Sequence, residues 1–396
     1  METLILAWYV MVNTGSVLLL TAFGSLQFFG TLAAPMLGVL GDQLGGRIML
    51  CAIRATYIIL ATFTMLLALT GALTSTWVFV AAALGGLVRP NDLVMRNALI
   101  GETIPSAHLL GALGLSRATM DSARVAGALA GAGLSTVLGV GPAYVAVVSL
   151  YAASLTLTLG VARRPAAPLA FAGRTTVSLP RPSRWRDLRE GLAHIVKTPE
   201  LLAFMWLAFL INLTAYPASG GLLPYVAKHV YQVDATGLGW LVASFAFGGL
   251  LASLTMVLSG GPRRPERSTL LHTAIWFALL LGFGHVQSIG GGLLVLLAAG
   301  FVQNVAMISM ATTLLAAAGE GFRARIMGVR TLAVYGLPLG LMASGLLIER
   351  IGYPLTISVS AAVGLVFTLL IGFRWRASTW QRDSVPPPGA SIPQGV

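Results

Sequence analysis

Two arginine–aspartate–arginine triplets stand inside long apolar stretches of this chain. Arg89, Asp92 and Arg96 fall on one face of a helix, and so do Arg117, Asp121 and Arg124, because residues three and four apart are neighbours on a helical surface. Charges inside an apolar span are costly and are functional candidates wherever they occur. Two kinds of chemistry are open to them. A carboxyl can carry a proton across a membrane, or it can stay charged and hold a guanidinium. Each acid here has two basic neighbours, which favour its ionised form. The spacing therefore suits ion pairs that brace or gate the helices better than proton carriage, which stays open as the second reading.

Uncharged polar and aromatic residues recur in the same apolar stretches. Gln27, Trp206, Asn212, Tyr216, Gln303, Asn304 and Tyr335, with Tyr9 and Asn13, are candidates to line a central cavity. Small-molecule sites are mostly apolar with a few placed polar groups. Asn212 with Tyr216, and Gln303 with Asn304, are the better pairs, since each sits mid-stretch. Interhelical hydrogen bonding is the alternative use of every one of them.

Other chemistries have no support. The only lysines are Lys197 and Lys228, and neither stands in a phosphate-binding loop. The five histidines, His108, His194, His229, His272 and His285, are scattered, and with the single Cys51 they make no metal cluster. No cofactor motif, metal site or enzymatic constellation is expected.

The elements that position these residues follow from composition. Of 396 residues, 56% are apolar and 10% are charged, far below the roughly 25% charged of a soluble domain. Such a chain faces lipid. Applying the rule of about 20 apolar residues per spanning helix gives eleven windows, near 16–40, 48–70, 76–97, 109–137, 141–162, 201–223, 236–259, 269–288, 291–318, 326–348 and 353–374. Leu4–Val12 is also apolar but spans only about 14 Å as a helix. It reads as the second half of a first helix whose start lies upstream, which makes twelve spans.

The net charge of +12 does not point to nucleic acid, because the basic residues lie in short clusters between apolar windows. If the loop at 41–47 faces the cytoplasm, so do nearly all of them, and Lys228 and Arg350 alone fall on the far side. That asymmetry is the positive-inside rule. It places the protein in a cytoplasmic (inner) membrane with its central linker and C-terminus inside.

The windows divide into a bundle over 1–162 and a second over 201–376. Residues 163–200 form a polar linker, and 377–396 a Pro-rich tail that reads as disordered. Within the linker Trp185, Leu188, Leu192 and Ile195 share one face, as in an amphipathic helix on the membrane surface. The halves resemble each other weakly. GTLAAPMLGVLGDQLGGR (30–47) lies on GLLASLTMVLSGGPRRPE (249–266), GALGLSRA (111–118) on IMGVRTLA (326–333), and GPAYVAVVSL (141–150) on GYPLTISVSA (352–361). The offsets agree at about 215 residues, and a duplicated six-helix unit is a transporter pattern.

The most specific string is Gly38-Val-Leu-Gly-Asp42-Gln-Leu-Gly45-Gly-Arg47. It resembles the G-x-L-x-D-R-x-G-R-R loop of the major facilitator superfamily, matching at Gly38, Leu40, Asp42, Gly45 and Arg47 and departing at Gln43 and Gly46. ALIGETIPSAHLLGALGLSRATMDSARVAGALAGAGLS, REGLAHIVKTPELL and RARIMGVRTLAVYGLPLGLMASGLLIERIGYP look like further stretches of the drug-antiporter branch that includes enterobactin and macrolide exporters. The resemblance implies an all-α fold of two pseudo-repeated six-helix bundles. It also implies that Asp42, Arg330 and Asp92 close the inner side together. The family's helix-four arginine would fall at Ala81 or Ala82 and is missing, and the helix-five G-P is here Gly127-Ala128. The implied activity is export of a small amphipathic molecule such as a drug, antibiotic or siderophore by a monomer in the bilayer, driven by a proton gradient. Uptake of a small metabolite, or a transport-deficient homologue, are the alternatives.

Overall fold

The computed structural model describes residues 1–31, 46–103, 109–160, 184–318 and 323–374. Among them the chain is helical throughout. The first half contains α1 (Glu2–Thr14), α2 (Val17–Leu26), α3 (Gly46–Leu69), α4 (Ser75–Thr103), α5 (Leu109–Leu138) and α6 (Val140–Leu159). The linker helix α7 (Arg184–Lys197) leads into α8 (Pro199–Tyr216), α9 (Ala235–Ser259), α10 (Pro265–Phe283), α11 (Ile289–Ala317), α12 (Arg323–Leu332), α13 (Gly336–Ile351) and α14 (Tyr353–Arg374). A 3-10 turn, Ala333–Tyr335, joins α12 to α13 in one span.

Every window expected from hydropathy falls on a helix, with 32–40 of the first and 161–162 of the fifth lying outside the described residues. Among the described residues seven helices are long and apolar enough to cross a membrane. The charged α4 and α5 are as long, at 29 and 30 residues. Their exposed surfaces are those of a lipid-facing protein: Val137, Leu157, Leu258 and Phe373 are each about three-quarters exposed, a density of exposed apolar side chains that water does not tolerate. Connections at one end are tight and capped. Gly15 ends α1 in the left-handed region at φ 64°, and Ser16 starts α2 by accepting from the Leu19 N–H.

Two expectations need correction. The window 201–223 stops short, because the span runs on to Val230. After Pro217 the helix widens into two π-helical stretches, Pro217–Gly221 and Val226–Val230, separated by one turn at Leu223–Tyr225. The extra residue per turn lets the chain pass Pro217 and Pro224 without ending the span. In α7, Ile195 is buried against the second half while Leu192 is half exposed. Those two residues do not share one membrane-facing surface, since α7 packs on α12 and α8.

The duplication is visible in how backbones meet. A Cβ on Gly30 would lie 2.3 Å from the Gly86 carbonyl oxygen, and one on Gly86 2.3 Å from that of Leu26, where the α2 segment crosses α4. In the second half a Cβ on Gly248 of α9 would lie 2.0 Å from Leu297 O, and one on Gly300 of α11 1.9 Å from Phe245 O. A second crossing repeats as well: Gly131 of α5 packs on Met1, and Gly340 of α13 on the Leu213 carbonyl of α8. The α3–α6 contact has its counterpart in α10–α14. These matched crossings keep the offset of about 215 residues, the mark of a repeated unit. The two halves meet along α2–α13 and α5–α9.

Candidate transport site

The middle of the first half holds a polar cluster that the helix windows alone do not reveal. The Tyr151 hydroxyl of α6 donates to Glu2 Oε2 of α1 at 2.6 Å, the short range of a charge-assisted bond. Tyr57 of α3 stacks on Tyr151 at 5.2 Å between ring centres. From α4, Arg89 donates to Gln27 Oε1 and, at 3.2 Å, to Thr3 Oγ1. Glu2, Gln27, Tyr57 and Arg89 line one cavity of about 20 Å³, room for a single water. Ala81 and Ala82 are in its wall. The guanidinium missing from those two positions enters the same cavity from Arg89, two helical turns on and on the same face. Glu2 went unnoticed in the sequence because it precedes the apolar run. An acid beside a span was the only signal of it.

One turn further along α4, Asp92 forms an ion pair with Arg54 of α3 at 2.8 Å. The sequence weighed Arg89 and Arg96 as its neighbours, and could not see a partner on another helix. Arg96 reaches Met120 of α5. Arg47 of the glycine-rich motif donates to the Leu159 carbonyl, so it caps the last turn of α6, where a cation is favoured. Arg330 stands half-buried in the last turn of α12. Gly38, Asp42 and Gly45, and the side chain of Arg117, lie outside the described residues, as do 377–396.

In the second half, Gln303 Nε2 of α11 donates to the Tyr216 hydroxyl of α8 at 2.8 Å, and Tyr216 meets Trp276 of α10 edge-on at 5.2 Å. Trp276 is fully buried, and among the described residues its indole N–H, like the Thr273 hydroxyl one turn away, finds no hydrogen-bond partner. Asn304 faces the other way, donating to Gly249 O at 2.5 Å and Ser253 Oγ at 2.7 Å. Ser253 in turn donates to Asp121 Oδ2 of α5 at 3.3 Å. This chain of bonds crosses the seam between the halves, and Asp121 is only 4% exposed. Arg124 of the same triplet is exposed.

The remaining candidates separate from this cluster. Asn212 spends its amide on the Ala208 carbonyl of its own helix. Trp206 is 58% exposed beside Phe209. The Tyr335 hydroxyl is buried without a partner in the 3-10 turn. Tyr9 donates to Leu73 O and so ties α1 to the α3–α4 connection, while Asn13 is exposed. Replacing Asn304 by leucine should lower the unfolding temperature by a few degrees, because two interhelical bonds in a membrane protein are worth about 1–2 kcal/mol. Thermal unfolding in detergent measures this.

Two repeated helical halves, packed along a seam with a polar cluster in each, are the pattern of a membrane transporter. The family model of the Major Facilitator Superfamily matches residues 3–338, and the chain belongs to that superfamily. Among solved structures, the crystal structure of nucleoside transporter NupG matches with a TM-score of 0.67 and 14% identity, over 94% of each chain. No curated protein matches the sequence.

Proposed function

We propose that the protein is a proton-coupled secondary transporter which exports small, weakly charged aromatic molecules across a cytoplasmic membrane, acting as a monomer. The observation that carries the reading is the division between the two polar clusters. The first half offers a carboxyl, Glu2, joined to a phenol and facing a cavity one water wide. That is a place for a proton, with Arg89 beside it to sense the charge. The second half offers amide and aromatic groups without formal charge: Gln303, Tyr216, Trp276 and Thr273. The orphaned indole N–H and hydroxyl suit an acceptor-bearing planar solute, since a buried donor left unmade is costly. Rocking of the 1–162 bundle against the 201–376 bundle, joined by 163–200, would expose both clusters to each side in turn.

Topology rests on the arginine asymmetry, which sets the 163–197 linker and the C-terminus in the cytoplasm. The resemblance of the Gly38–Arg47 motif supports a role for Asp42, with Arg330 and Asp92, in closing the inner side.

Uptake of a small metabolite is the second reading. It is favoured by the likeness of the whole fold to a nucleoside transporter, and the Gln303–Tyr216–Trp276 group suits a nucleobase as well as a planar drug. Direction separates the two readings. Cells making the protein should retain less ethidium than cells lacking it. Higher retention would sink export, and faster uptake of labelled nucleosides would then establish the second reading.

A further inference from the structure

The end of the molecule that carries Lys228 is closed by a contact between the halves. Helix α1 stops at Thr14, and of its last carbonyls that of Met11 accepts from the Gly15 N–H at 3.2 Å and keeps a second lone pair free for a further donor. Lys228 Nζ, from the second half, donates to Met11 O at 2.9 Å and to Val12 O at 3.3 Å. A cation on the final turn of a helix meets the negative end of its dipole. Leu4 and Val17 of the first half belong to the same buried apolar cluster as Leu222 and Leu223 of the second.

The segment bearing Lys228 is built differently from the helix below it. From Pro217 to Val230 it is π-helical for two stretches, a rare geometry that is frequent at functional sites. Gly221 lies so close to α13 that a Cβ there would meet the Leu341 side chain at 2.2 Å. The segment is seated tightly on its own half, and from it the Lys228 side chain reaches across to the end of α1 in the other.

The geometry points to Lys228 as a latch: its ammonium, on the π-helical end of the α8 span, locks that end of the transporter shut by capping α1, and must release for the site to open there. This rests on the alternating-access reading of the fold and not on the identity of the solute or the coupling ion. The partners are two main-chain carbonyls, which no substitution in α1 removes. The latch is therefore tunable only from the lysine side.

The test needs neither solute nor gradient. In protein with Cys51 replaced by serine, spin labels at Asn13→Cys and Gln232→Cys report the separation of the two halves at this end. The parent should show mainly the short distance. Lys228→Met should raise the ratio of long to short distances about tenfold, the equivalent of about 1.4 kcal/mol, and Lys228→Arg, which keeps the cation, should stay near the parent. Lys228→Gln serves in place of methionine if that variant fails to run as a single species. A monodisperse Lys228→Met or Lys228→Gln protein with the parent's distances would overturn the latch. So would opening by Lys228→Arg equal to that by methionine. Neither result bears on which molecule is carried or in which direction.

Discussion

Glu2→Gln should leave downhill solute exchange near the parent rate, while uphill transport under an imposed pH gradient falls by about tenfold or more, as expected when the ionisable group of a membrane proton relay is lost. The substitution is nearly isosteric. Its amide oxygen still accepts from the Tyr151 hydroxyl, now at 2.6 Å from Glu2 Oε2, so packing and unfolding temperature should hold. What the amide cannot do is take up and release a proton. A purely structural role predicts the opposite pattern, in which exchange and stability fall together and uphill transport falls no further. Proteoliposomes loaded with a labelled solute read both rates in one preparation. Arg89→Met supplies the complementary outcome. It leaves the Gln27 carbonyl oxygen without its guanidinium partner in a residue only 7% exposed, a loss of about 1–3 kcal/mol. It should therefore depress both rates and the unfolding temperature. If Glu2→Gln pumps uphill at the parent rate, the proton passes elsewhere, and Asp121 on the seam becomes the next carboxyl to examine.

The helices were legible because a membrane demands a long apolar run for each crossing, and the runs here are separated either by charged segments or by short turns such as those at Gly139 and Gly352. Even α4 and α5, with three charges each in mid-helix, stood out by their flanks. Partners across helices were not legible. Asp92 lies three and four residues from Arg89 and Arg96, and helical spacing alone ranks those two first, yet the ion pair forms with Arg54 of α3. Spacing describes one helix surface, whereas pairing depends on which surfaces face each other. The end of the α8 span was missed for a related reason. Proline removes a helix hydrogen bond, and nothing in the local sequence says that a π-helical register will carry the helix past Pro224 to Val230. Glu2 was missed because a hydropathy window rewards apolar residues and stops where the acid begins. The duplication, by contrast, showed only as three poor alignments sharing an offset. It became plain once Gly30, Gly86, Gly248 and Gly300 were seen to bring backbones together at matching crossings.

Those crossings carry the largest effect on stability. Gly300→Val should cost on the order of 3 kcal/mol or more, the upper range for overpacking, and leave little folded protein in detergent. The Cβ would fall 1.9 Å from the Phe245 carbonyl oxygen and 2.9 Å from its carbon. A carbonyl in a helix cannot swing aside as a flexible side chain can, so α9 and α11 must move apart. Three bonds at the same crossing would then stretch: Ser244 to Leu293 O, and Asn304 to Gly249 O and to Ser253. Helix propensity works the other way, since replacing glycine within a helix gains up to about 1 kcal/mol. Gly290, in the first turn of the same helix and with nothing within 4 Å of its Cβ position, isolates that term. Gly290→Ala should hold or slightly raise the unfolding temperature. Because the first half repeats the arrangement, Gly86→Val, aimed at the Leu26 carbonyl at 2.3 Å, should fail as Gly300→Val does. A well-folded Gly300→Val protein with the parent's unfolding temperature would mean that α9 and α11 do not touch there. The matched crossings would then cease to be evidence for two equivalent bundles.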